Sequence, residues 1–107
     1  MRITLGIIIT ACLLVGVALA QVNITPIADV SVTSAATLVK DQNAFRWALS
    51  CTNTHATVHV RWGSSTVTAT TGQQLKAGAA IEIRSTGPVY MISEGATVTM
   101  SCTEETR

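Results

Sequence analysis

The chain has 107 residues, with seven Lys and Arg against six Asp and Glu, and charged residues make up only 12% of it. This near-neutral balance shows no basic patch of the kind that phosphate contacts require, so nucleic acid is excluded as the main ligand. The length fits one folded domain.

Residues 1–20 form an apolar N-terminal segment. Arg2 supplies a positive start, and the run from Ile3 to Ala20 carries no charged residue. Its last three residues, Ala-Leu-Ala, fit the small-x-small rule of signal peptidase and predict cleavage before Gln21. Two alternatives stay open: a membrane anchor, at the short edge of the ~17–25 residues that span a bilayer, and a lipoprotein processing site at Cys12. All three predict a domain that is exported across, or anchored in, the cytoplasmic membrane.

Export makes the number of cysteines informative. With Cys12 inside the apolar run, Cys51 and Cys102 remain as an even pair in an oxidising compartment. We therefore predict one disulfide between them, which ties the two ends of the domain together. If their strands face each other, the bridge runs through the core.

Residues 21–107 consist of short β-branched runs separated by turn residues, with no 3.6-residue apolar period. This texture predicts an all-β domain, a small antiparallel β-sandwich or jelly-roll-like barrel, preceded by an N-terminal apolar helix. The first strand, Asn23–Ile27, contains Pro26 and is expected at a sheet edge or as an extended lead-in.

The centre of the domain is predicted to be a hairpin. Two alternating runs, residues 46–52 and 57–62, flank a short polar connection at residues 53–56. Alternation places Trp47, Leu49 and Cys51 on one face and Arg46 on the other, where it joins the scattered charges of solvated strand faces. The predicted core consists of Trp47, Leu49, Val58, Val60, Trp62, Ile81, Ile83, Val98 and Met100.

Candidate chemistry is sparse. Cys51, His55 and His59 are spaced four apart, but they cross a turn and a zinc site needs a fourth ligand, so no metal or cofactor is predicted. No motif of a catalytic serine or cysteine is present, so no enzyme is predicted. Trp47, Trp62 and Tyr90 could form a stacking platform, but core packing is the preferred interpretation.

Two glycines are expected to have a structural role. Gly72 and Gly78 have the wrong spacing for a phosphate loop and are interpreted as turn residues.

The outward faces of the strands are rich in Thr and Ser and poor in charge, which leaves the strand edges with little protection against pairing with other chains. Such faces are suited to packing against copies of the chain or against a flat protein partner.

A series of landmarks runs from the centre of the chain to its end. They are Arg46-x-x-Leu49, Asn53, Val58-x-Val60-x-Trp62-Gly63, Leu75-x-Ala77-Gly78, Gly87-Pro88-Val89-Tyr90-Met91-Ile92 and a last strand that ends in acidic residues. The pattern, over roughly residues 30–105, resembles the small β-sandwich domains of bacteriophage virion accessory proteins of the capsid-fibre or decoration type.

The resemblance implies a non-enzymatic structural protein that packs on a capsid, on a tail or in a trimer. An exported version is expected in a membrane-containing particle. Its expected partners are copies of itself or other virion proteins, with membrane contact through residues 1–20 and no nucleic acid. The alternative is an exported envelope protein, encoded by a bacterium or a phage, that recognises a protein or a glycan.

Overall fold

A computed structural model of the chain describes residues 22–107. The predicted apolar helix, its cleavage before Gln21 and the processing site at Cys12 lie outside the described residues. Among the residues described, no helix has the length and apolar character to cross a membrane.

The described residues form nine β-strands and no helix, which confirms the all-β prediction. The strands are β1 (Asn23–Pro26), β2 (Val30–Val32), β3 (Thr37–Lys40), β4 (Arg46–Asn53), β5 (Val60–Gly63), β6 (Gln73–Leu75), β7 (Ala80–Ile83), β8 (Val89–Ser93) and β9 (Val98–Thr106). The Thr-rich run at residues 66–71 forms turns between β5 and β6 rather than a strand.

The strands make two antiparallel sheets. The five-stranded sheet has the order β1-β9-β4-β7, with β2 also paired to β9, and the four-stranded sheet has the order β3-β8-β5-β6. Buried residues from both sheets form one apolar cluster, so the sheets pack face to face as in a sandwich. As expected, β1 with its proline lies at an edge, paired only to β9.

The predicted central hairpin is wrong. β4 pairs with β7 and β9 in one sheet, whereas β5 pairs with β6 and β8 in the other. The connection therefore crosses between the layers. Asn53, at the end of β4, is fully buried and its amide donates to the Val58 carbonyl at 2.9 Å, which directs the chain across the gap.

The apolar cluster contains most of the residues that the alternation placed inward. Five of them are at most 1% exposed: Leu49, Val60, Ile83, Val98 and Met100. Three others, Val58, Trp62 and Ile81, are partly buried and pack against the cluster.

The Cys51–Cys102 disulfide is confirmed, with a sequence separation of 51 residues. Its two cysteines are direct partners on β4 and β9, with Cα atoms 4.1 Å apart. The bridge therefore links neighbouring strands of one sheet on its buried face, rather than crossing from one layer to the other. It joins β4 to the last strand of the domain.

β4 carries a register shift near its start. Its pairing with β9 passes from Arg46–Thr106 to Ala48–Glu105, so β4 has one extra residue at this point. Such a bulge breaks the alternation of side chains. Arg46 is consequently buried, at 4% exposure, and Trp47 lies outside the core cluster, beneath arginine side chains. The predictions of a core Trp47 and a solvated Arg46 are both wrong for this reason.

Candidate functional site

The centre of the outer face of the five-stranded sheet consists mostly of short polar side chains. Ser50 lies between Glu82 and Thr103, and Thr52 lies between Ala80 and Ser101, on neighbouring strands. Because these side chains are short, β7, β4 and β9 leave a shallow depression of about 190 Å³ between them. These two rows carry one charged residue, Glu82, and their other side chains are short and uncharged, in line with the Thr- and Ser-rich pattern.

Trp47 lies at one end of this face. The Arg84 guanidinium lies 4.6 Å from the centre of the indole ring, and that of Arg107 lies 5.4 Å from it. Arg84 also forms an ion pair with Glu82 at 2.9 Å, on the exposed surface. These contacts connect the half-buried tryptophan to the row of side chains that contains Ser50.

A buried ion pair, formed by Arg46 and Glu104, lies at the end of the sandwich that carries Trp47. The Nε atom of Arg46 donates to Oε2 of Glu104 at 2.8 Å, and their side chains are 0% and 8% exposed. The Nη1 atom of Arg46 donates to the carbonyl oxygens of Ser85 at 3.0 Å and Gly87 at 2.9 Å, and Nη2 donates to that of Asp41. One guanidinium therefore joins the β3–β4 loop, the β7–β8 loop and β9.

A groove of about 450 Å³ opens above this ion pair. Residues 42–45 of the β3–β4 loop form one wall, and Thr86 and Gly87 of the β7–β8 loop form the other. Phe45 stands at its edge with 72% of its surface exposed. The Asn43 N–H donates to the Thr86 carbonyl at 2.8 Å and fixes the two walls together.

The opposite end of the sandwich is organised by Asn53. Its amide donates to the carbonyls of Val58 at 2.9 Å and Leu75 at 3.4 Å, and its Oδ1 accepts the N–H of His55 at 3.0 Å. Its main chain bonds the β6–β7 loop, since the Gly78 N–H donates to its carbonyl at 3.0 Å. Gly78 has φ +74°, a conformation that glycine adopts without strain.

Both histidines act as hydrogen-bond acceptors at this end. The Nδ1 atom of His55 accepts the N–H groups of Thr57 at 3.1 Å and Val58 at 3.0 Å. The Nδ1 atom of His59 accepts the N–H of Ala77 at 2.9 Å. These Nδ1 atoms hold loop backbone.

The structure does not assemble the metal or stacking candidates. Within residues 22–107, no group of three His, Cys, Asp or Glu side chains lies close enough to hold a metal ion. The three large aromatic rings are separated: Trp47 lies on the outer face of one sheet, Trp62 packs against the core, and Tyr90 is paired with the exposed Leu38 in the other sheet. They form no common platform.

Two features of the Arg46 end of the sandwich were not predicted from the sequence. Glu104 was interpreted as part of an acidic tail, but β9 continues through it and buries it to 6% exposure. It has the parity of Met100 and Cys102, a signal that could have predicted its burial. Phe45 follows a polar turn, where its sequence context gave no indication of a groove.

Comparison with known proteins identifies no relative. A scan against protein-family models finds no matching family, and neither the curated proteins nor the solved structures yield a match.

Proposed function

We propose that this chain is an exported, non-enzymatic structural protein that docks on protein partners through the outer face of its five-stranded sheet. The observation that carries the proposal is the position of Trp47. A chain with only two tryptophans holds one of them on that face, against two arginines. Tryptophan and arginine are the residue types that most often dominate binding energy at protein interfaces.

The neighbouring surface supports the same function. Interface cores are depleted in charge, and the rows around Ser50 and Thr52 contain one acidic residue, Glu82, already paired with Arg84. The groups that could support catalysis hold main-chain atoms instead: Arg46 bonds three carbonyls, and the histidines accept loop N–H groups. These roles favour a structural protein.

The resemblance noted in the sequence favours a virion component as the particular structural role. The alternative, an envelope binding protein, is favoured by the groove beside Phe45. The two differ in location: a virion component co-purifies with particles at a fixed stoichiometry, whereas an envelope protein fractionates with periplasm or membrane. Mass spectrometry of the N-terminus adds to this, because a start at Gln21 indicates secretion and an intact Met1 indicates a retained anchor.

A pair of matched variants tests the docking face. Thr52→Arg places a long charged side chain on the outer face between Ala80 and Ser101, whereas Thr57→Arg places the same side chain on the exposed loop between β4 and β5. In sedimentation velocity of the full chain over a wide concentration range, or in particle co-purification, we expect association to be lost in Thr52→Arg and kept in Thr57→Arg. A chain that stays monomeric at all concentrations and binds no particle would contradict the proposal.

A further inference from the structure

Phe45 is the most exposed large apolar side chain of residues 22–107, and yet its backbone is fixed. Its N–H donates to Oδ1 of Asn43 at 3.0 Å, and its carbonyl accepts the N–H of Arg107 at 3.0 Å. The N–H of Arg46 donates to the Asn43 carbonyl at 3.0 Å in the same turn. The ring is therefore presented from a bonded turn, at the edge of a groove, rather than from a free loop tip.

The groove itself is pre-formed. Arg46 bonds the carbonyl of Gly87 in one wall, and those of Ser85 and Asp41, which directly precede the residues of the two walls. The groove has a volume of about 450 Å³, which falls within the roughly 300–1,000 Å³ that is typical of small-molecule sites. A ligand entering it needs no opening of the loops, which lowers the entropic cost of binding.

The lining decides the chemical class of the ligand. The side chains of Gln42, Asn43 and Thr86 are polar and uncharged. The amide of Asn43 donates to Glu104 at 3.4 Å, and the Glu104 carboxylate is itself paired with the buried Arg46. An anionic ligand such as a phosphate or a nucleic acid requires free cationic groups, and this lining supplies none.

We propose that the groove binds a neutral saccharide. A sugar ring has an apolar C–H face that fits an exposed aromatic ring, and hydroxyl groups that carboxamides and a threonine hydroxyl can bond as donors and acceptors. Phe45 forms the stacking surface, and Gln42 and Thr86 bond the hydroxyls. This site is separate from the outer face of the five-stranded sheet and does not require the docking function proposed above.

The test uses the full chain on an array of neutral oligosaccharides of hexoses and N-acetylhexosamines, with sulfated and sialylated glycans as charged probes. The best neutral binder is then titrated calorimetrically. We expect Phe45→Ala to weaken binding by about fivefold to tenfold, since a stacking contact contributes about 1–1.4 kcal/mol, and Phe45→Trp to retain it. Because Phe45 is exposed, both variants should keep the thermal stability of the parent.

Leu38→Ala serves as the matched control, because Leu38 is also an exposed apolar residue, at 44%, but lies on the four-stranded sheet outside the groove. Its affinity should equal that of the parent. The proposal is overturned if no neutral glycan binds, if only the charged probes bind, or if Phe45→Ala and Leu38→Ala bind equally well.

Discussion

Each end of β4 is held to neighbouring loops by one buried polar residue, but the two residues differ in charge. At each end a buried polar residue faces inward and bonds loops from both sheets: Arg46 at the start of the strand and Asn53 at its end. Arg46 is charged and requires a buried carboxylate, Glu104, whereas Asn53 is neutral and bonds only backbone and its own loop. The charged end has an open groove above it.

This difference has an energetic consequence. Removing one member of a buried ion pair leaves the other charge without a partner in a poorly solvated site, which costs about 3–5 kcal/mol. Removing a neutral amide leaves unsatisfied carbonyls, at a cost of about 1–3 kcal/mol. We therefore expect the Arg46 end to be more sensitive to substitution than the Asn53 end.

The largest effect is expected from Glu104→Ala. It leaves the buried Arg46 guanidinium uncompensated and should lower the free energy of unfolding by about 3–5 kcal/mol in urea titrations. Glu82→Ala is the matched control. The Glu82–Arg84 pair has an N–O distance of 2.9 Å, close to the 2.8 Å of the Arg46–Glu104 pair, but its side chains are exposed. An exposed pair contributes at most about 1 kcal/mol. Equal losses in the two variants would show that burial does not distinguish these ion pairs.

The disulfide lies between the two ends and should support both. Closing a loop of 51 residues contributes about 4 kcal/mol in the chain-entropy model. Reduction of the unaltered chain removes the cross-link without leaving a cavity, so urea titrations with and without reductant should differ by about that amount. Hydrogen exchange should show that Arg46 and Asn53 lose protection to a similar degree. A loss confined to one end would contradict the view that β4 and β9 act as one unit.

The fold class was predictable because β-branched runs with turn residues leave few alternatives to antiparallel sheets. The disulfide was predictable because only two cysteines lie outside the apolar N-terminal run. The path of the chain was not. A polar connection between two alternating runs has the same sequence texture whether it makes a hairpin or crosses between sheets, and only the burial of Asn53, a tertiary property, distinguishes them.

The candidate site was predictable only where alternation holds. The Ser50 and Thr52 rows follow from period-2 patterning, but the bulge between Arg46 and Ala48 shifts the parity of Trp47 by one residue. No local composition marks that bulge, since it depends on how β4 pairs with β9. The two residues that define this end of the molecule, Arg46 buried and Trp47 outside, were therefore interchanged in the prediction.

A smaller effect is expected at the neutral end. Asn53→Ala removes the donor for the Val58 and Leu75 carbonyls and the acceptor for the His55 N–H, so the free energy of unfolding should fall by about 2–3 kcal/mol. Asn23→Ala, an exposed asparagine in β1, should change it by less than about 0.5 kcal/mol. Because two of the three lost partners, the Val58 carbonyl and the His55 N–H, lie in the loop between β4 and β5, hydrogen exchange should increase at residues 54–59 before the groove loops respond. If Asn53→Ala lowers the free energy of unfolding more than Glu104→Ala does, the Arg46 end is not the more sensitive one. The proposed difference between the two ends of β4 would then be wrong.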